Sequence, residues 1–201
     1  MIRVLLFSLI LVFTFRTGPE FLLPVATHDR HVINGLEITG IGAFGLKRKA
    51  RPGIPAHYHT GIDIRRPENN YTDEPVFPIA PGIVISKRTD GPFAQLIIEH
   101  DQGQKKYWTV YEHIAGIKVK VMQYVNPDQP IARFMNREEL DRYGWQFDHF
   151  HFEVLKVPPL RLKPGNKNPD RHFTPYTLVC YTPEDLDRYY YDPVNFLESH
   201  L

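Results

Sequence analysis

His149-Phe150-His151-Phe152-Glu153-Val154 is the stretch on which the reading of this chain turns. Its residues are aromatic and β-branched in character and alternate cleanly, as in a strand with two unlike faces. His149, His151 and Glu153 are expected on one face, and Phe150, Phe152 and Val154 on the core face. Residues two apart in a strand lie ~7 Å from each other. That is too far for the two imidazoles to hydrogen-bond, but right for one metal ligand with a neighbour beside the metal. Alone, a His-x-His pair is equally the pattern of two half-exposed histidines, so other residues have to decide.

The next stretch outward is His59-Thr60-Gly61-Ile62-Asp63-Ile64. Gly61 breaks a helical reading, so a turn at Thr60-Gly61 is expected to bring His59 and Asp63 to one point at the mouth of a strand. Both residue types bind zinc at ~2.0–2.2 Å. An Asp–His hydrogen bond within a turn would use the same residues. His57-Tyr58-His59 leaves open which histidine takes part. With the first stretch, these residues supply three imidazoles and a carboxylate, the ligand set of a catalytic zinc site with one position left open. A third stretch, Tyr111-Glu112-His113-Ile114, ends a strand-like run, and spacing alone says little about His113.

The text from about Val32 to Val154 is strand-like throughout. Short apolar or alternating runs recur between Gly, Pro, Asn and Asp breaks: Val76–Ala80, Gly82–Ser86, Ala94–His100, Lys106–Tyr111 and Ile117–Val121. This spacing predicts a mainly β fold of antiparallel sheets, with Asp101-Gln102-Gly103 as a hairpin turn. Two short helices are expected. One runs over 137–143, with Asn136 and Glu139 as a capping box and Gly144 as its stop. The other runs over 183–190, with Thr182 as cap, Pro183 at the first position and an acidic first turn. Between Val157 and Pro175 the chain is rich in Pro, Asn and Lys, and 157–181 reads as an ordered but irregular excursion.

At 201 residues the chain suits one domain with a sizeable core. A formal charge of +1 lacks the basic excess of a dedicated nucleic-acid binder. Arg3 precedes an apolar run from Val4 to Phe15, too short to span a bilayer and suited to the h-region of a secretory signal. Residues 1–20 are therefore read as a signal peptide or N-terminal hydrophobic segment, and 21–201 as a single domain. A buried N-terminal strand or helix is the alternative. Cys180 is the only cysteine, which excludes an intramolecular disulfide and a zinc-thiolate structural site. It reads as a small buried hydrophobe.

In order and with similar gaps, His59-Thr-Gly-Ile-Asp63-Ile64, Tyr111-Glu-His113-Ile114 and His149-Phe-His151-Phe-Glu153 resemble the motifs of the lysostaphin/LytM-type zinc endopeptidases, which cut peptidoglycan peptides. Pro75-Val76, Ala80-Pro81-Gly82-Ile83-Val84 and Asp192–Leu197 also resemble family text. The likeness runs from roughly Gly40 to Leu197, with interruptions. It implies a compact LytM-like catalytic domain holding Zn2+ through His59, Asp63 and His151, with His113 and His149 as catalytic imidazoles. It further implies peptidoglycan peptides as substrate, an exported location in the cell envelope, and no stable membrane span. A non-catalytic envelope scaffold that keeps the fold and the metal is the alternative, and a zinc hydrolase of some other substrate is another. The chain departs from the family pattern in two places. Asn136–Tyr143, followed by Trp145 and Phe147, replaces a Gly/Thr-rich loop, and the stretch from Val154 to Asp192 is longer than usual. Trp145 lies within chain reach of His149, either as a wall of the substrate groove or packed against the other face of the strand.

Overall fold

The computed structural model describes residues 21–103 and 105–201; the N-terminal segment 1–20 lies outside the described residues. Seven strands make the main sheet: β1 (Ile62–Arg65), β2 (Gly82–Arg88), β3 (Gln95–Asp101), β4 (Lys106–Glu112), β5 (Tyr124–Val125), β6 (His149–Leu155) and β7 (Tyr190–Tyr191). Among the described residues they pair antiparallel in the order β7-β6-β4-β3-β2-β5, with β1 also paired to β6. His151 stands opposite both Asp63 and Glu112, so β1 and β4 flank β6 on opposite edges. Val154 likewise stands opposite Tyr191 and Thr109, which puts β7 on the same edge as β1. The fold is mainly β and antiparallel, as the strand spacing predicts.

The alternation in β6 is realised. Phe150, Phe152 and Val154 are fully buried in the larger core, with Ile62, Ile64, Leu96, Ile98 and Tyr111. The opposite face is buried too. Ile97, Trp108, Val110 and Leu155 pack there under Cys180, Leu186 and Tyr190. Phe173 and Tyr176 of the Pro/Asn/Lys-rich excursion add to this cover. The excursion is therefore a lid on the second face of the sheet, and Cys180 is the buried hydrophobe expected of it.

Three expectations need adjusting. Ile117–Val121 forms no strand. A turn closed by the Gln123 amide on the Lys120 carbonyl breaks the run, and pairing resumes at Tyr124–Val125. Val76–Ala80 yields only short pairings, Pro75–Val76 against Ala132–Arg133 and a bridge of Val76 to Val25, because Pro78 supplies no ladder amide. A helix over Pro193–Glu198 was not expected, although it starts like the others: Asp192 accepts from the Val194 amide, and proline follows the cap. The two expected helices form at Arg137–Tyr143 and Pro183–Tyr189, each with its capping box.

Gly61 is the tightest point of the β1–β6 contact. A Cβ there would lie 2.2 Å from the Phe152 carbonyl oxygen and 2.9 Å from His151 Cε1. Both neighbours belong to the central strand and cannot yield cheaply. Gly61→Ala is expected to cost at least ~1–3 kcal/mol of stability, the usual range for overpacking. Urea unfolding of the purified variant checks this, and an unchanged midpoint would contradict it.

Candidate metal centre

Asp63 is the third residue after the Thr60 turn and faces His151 across the β1–β6 ladder. His59, at the mouth of β1, completes a triangle. His59 Nε2 lies 3.1 Å from Asp63 Oδ1 and 3.0 Å from His151 Nδ1, and His151 Nδ1 lies 3.0 Å from Asp63 Oδ1. All three residues are buried, and among the described residues they form the one cluster whose donor atoms are close enough to hold a metal ion. Ligands at ~2.0–2.2 Å around a tetrahedral ion sit ~3.3–3.6 Å apart. The triangle is slightly tighter than that and accepts an ion with little movement.

The outer atoms of these side chains are also fixed. His59 Nδ1 donates to the Ala43 carbonyl at 2.9 Å, leaving the Nε2 lone pair toward the cluster. His151 Nε2 donates to Glu153 Oε1 at 3.0 Å, leaving Nδ1 inward. Glu153 Oε1 also accepts from Thr60, and from Thr177 at 2.8 Å. Such outer partners set the tautomer and orientation of metal-binding histidines. The other carboxylate oxygen of Asp63 accepts from Arg48 Nη2 at 3.0 Å.

The charge states suit the same purpose. Burial opposes ionisation of Asp63, but its interactions with His151 and His59 outweigh it and hold the carboxyl well below its usual range. Burial also disfavours a charged His151, yet its bonds to Asp63 and Glu153 prevail and raise it to about 10. A proton and a metal ion therefore compete for His151 Nδ1.

Two further imidazoles stand beside the cluster. His149 Nε2 lies 3.6 Å from Asp63 Oδ1. The His113 ring lies 5.4 Å from the His149 ring, nearly perpendicular to it. Burial lowers both; for His149 the carboxylate of Asp63 opposes the shift and the neighbouring imidazoles add to it, giving about 4. Both are neutral at neutral pH. His113 Nδ1 donates to the Pro92 carbonyl at 2.5 Å, which leaves Nε2 unprotonated. His113 holds φ at +63°, a left-handed conformation that costs energy outside glycine and often marks functional positions.

His57 is elsewhere. Its ring bonds the Pro55 carbonyl, so the choice left open by His57-Tyr58-His59 falls on His59. The five residues expected from the family motifs are brought together. Residues not anticipated are Arg48, Thr60 and Thr177, together with the Ala43 carbonyl. Arg48 and Thr177 come from segments without a motif, while Thr60 lay inside one. Trp145 does not bury against the strand: it is 46% exposed, with Nε1 donating to Asp141 and its ring edge-on to Tyr71. Phe147 is the aromatic that reaches the site, 4.9 Å from the His113 ring.

The profile of Peptidase family M23 matches residues 57–168, more than half of the chain. The chain belongs to peptidase family M23. Among solved structures, it is similar to a zinc-containing peptidase from Vibrio cholerae, at 29% identity over 68% of this chain and 37% of that one, with a TM-score of 0.47. It is also similar to the antimicrobial peptidase lysostaphin from Staphylococcus simulans, at 19% identity over 84% of this chain and 52% of that one, with a TM-score of 0.49. LytU follows at 21% identity over 74% of this chain and 80% of that one, with a TM-score of 0.42. The chain thus spans about a third to a half of the first two. No curated protein matches it. The M23 match and the donor cluster together support a metallopeptidase.

Metal analysis tests the cluster directly. His59→Ala and Asp63→Ala are expected to lose bound metal, and His57→Ala to keep it at about one equivalent. Metal lost from His57→Ala but kept by His59→Ala would reverse the assignment. Trp145→Ala, at an exposed position, is expected to shift stability by under ~1 kcal/mol, read as a near-constant melting temperature.

Proposed function

We propose that this chain is a zinc-dependent endopeptidase that hydrolyses peptide bonds in peptidoglycan stem peptides or cross-links. One observation carries the reading: a buried His59–Asp63–His151 donor triangle adjoins two neutral imidazoles, His113 and His149. His59 Nε2, Asp63 Oδ1 and His151 Nδ1 would hold the ion. Zinc supplies a Lewis acid for the scissile carbonyl and a water acidified toward a pKa of ~7.

The chain's own residues account for the proton traffic. A neutral imidazole accepts the proton of an attacking water, and the same or the neighbouring imidazole returns one to the leaving amine. His113, with Nδ1 committed to Pro92, presents Nε2 for this. Either ring, once protonated, also stabilises the oxyanion of the tetrahedral species. Phe147 and Phe93 pack against His113 on one side.

A scaffold without activity has no use for two such imidazoles beside a complete donor set, so the enzymatic reading is preferred. The cell-wall substrate comes from the lysostaphin/LytM-type motifs. The charged-then-apolar order of residues 1–20 supports export to the cell envelope, with 21–201 as one domain. Among the described residues no helix is long and apolar enough to cross a membrane.

The purified protein is expected to clear a peptidoglycan zymogram, to lose that activity on chelation and to regain it with zinc. Mass analysis of the released muropeptides gives the bond cut. Intact sacculi alongside cleaved casein would move the substrate to protein. His113→Ala and His149→Ala are each expected to keep metal and lose ~10²–10⁴-fold in turnover, the usual contribution of acid–base groups. Loss of metal in either variant would make that histidine a ligand instead.

A further inference from the structure

The two oxygens of Asp63 point to different partners. Oδ1 faces His59 Nε2 and His151 Nδ1. Oδ2 faces Arg48 Nη2 at 3.0 Å, from a side chain 22% exposed onto one 7% exposed. Arg48 sits in the two-residue strand Lys47–Arg48, paired with His57–Tyr58 and in register with His57. That ladder fixes the Arg48 backbone close to the turn that carries His59. Its neighbours Lys47, Lys49 and Arg51 are exposed, whereas Arg48 is half-buried and turned onto the cluster.

A carboxylate with both oxygens available can take an ion with one or with both. The second mode adds a ligand atom and fills the position that a catalytic zinc site keeps open. A guanidinium is permanently charged and matches carboxylate geometry, so it holds one oxygen firmly. It also draws negative charge away from the cluster.

We propose that Arg48 is a positioning residue that restricts Asp63 to one-oxygen coordination and so keeps the fourth position at the ion open. This rests on the zinc-centre reading given above. Arg48 acts through Asp63, and its ion pair would look the same if it only tied the hairpin to the sheet. The two roles differ in what the ion experiences.

The test loads full-length wild type, Arg48→Met and Arg48→Lys with zinc or cobalt(II). Affinity is measured by competition with a chromophoric chelator, and access to the fourth position by the response of the cobalt form's visible absorption to added thiocyanate. Arg48→Met is expected to bind zinc ~10-fold or more tightly, because it loses a neighbouring positive charge and frees Asp63 Oδ2 as a ligand. Its cobalt bands are expected to shift and to stop responding to added thiocyanate, because Asp63 Oδ2 then occupies the position that is open in the wild type. Arg48→Lys, which keeps a point charge, is expected to fall between the two. If Arg48→Met shows unchanged zinc affinity and an unchanged cobalt spectrum, and only its melting temperature drops, Arg48 is a tether and the proposal fails. Should Arg48→Met not fold, Arg48→Lys carries the same readouts, and wild-type values in it overturn the proposal. A wild type that binds neither ion defeats the zinc reading itself, and this inference with it. A wild type that binds zinc beside an unaltered Arg48→Met defeats the inference alone.

Discussion

Everything at the centre depends on one register, the pairing of Asp63 with His151 across β1 and β6. Because side chains alternate along a strand, a slip of one residue would send the carboxylate into the core and an isoleucine onto the face of the donor cluster. Such a slip is heavily opposed. Ile62 and Ile64 stand opposite Phe152 and Phe150, all four fully buried, so the apolar partners lock the polar ones. The hydrophobic effect thus sets the position of the candidate ligands. Gly61 adds a steric stop, since only a residue without a side chain passes the Phe152 carbonyl.

The second face of the sheet carries a different kind of cost. His151 and Glu153 are buried there, and charged groups away from water are destabilising unless paired. The chain meets this by concentrating partners. Thr60, Thr177 and His151 all bond Glu153 Oε1, while Oε2 is buried without a partner among the described residues. Thr177 belongs to the excursion, so the segment that covers the apolar part of this face also closes its polar end.

Much of this was legible in the sequence. The alternation of His149–Val154 gave the strand and both its faces, and the caps at Asn136 and Thr182 gave two helices with their starts. Motif order named the five residues around the centre. The burial of the second face was not legible, because alternation reports that two faces differ and not that both are covered. Arg48 was hidden for another reason: it lies among similar cations, and only the three-dimensional path of its hairpin turns it inward. Trp145 shows the limit of reach arguments. Closeness along the chain placed it near His149, yet bonding to Asp141 and packing on Tyr71 hold it at the surface.

The outer partners of the cluster come from separate segments: the Ala43 loop, the Arg48 hairpin and the Thr177 excursion. An ion held at the centre therefore acts as a cross-link among parts of the chain far apart in sequence. With one cysteine, the chain has no covalent staple of its own. By mass action, a ligand present at 100 times its dissociation constant adds ~2.7 kcal/mol to folding stability. If the chain works outside the cell as proposed, where the ion is scarce or sequestered, catalysis and resistance to proteolysis would rise and fall together.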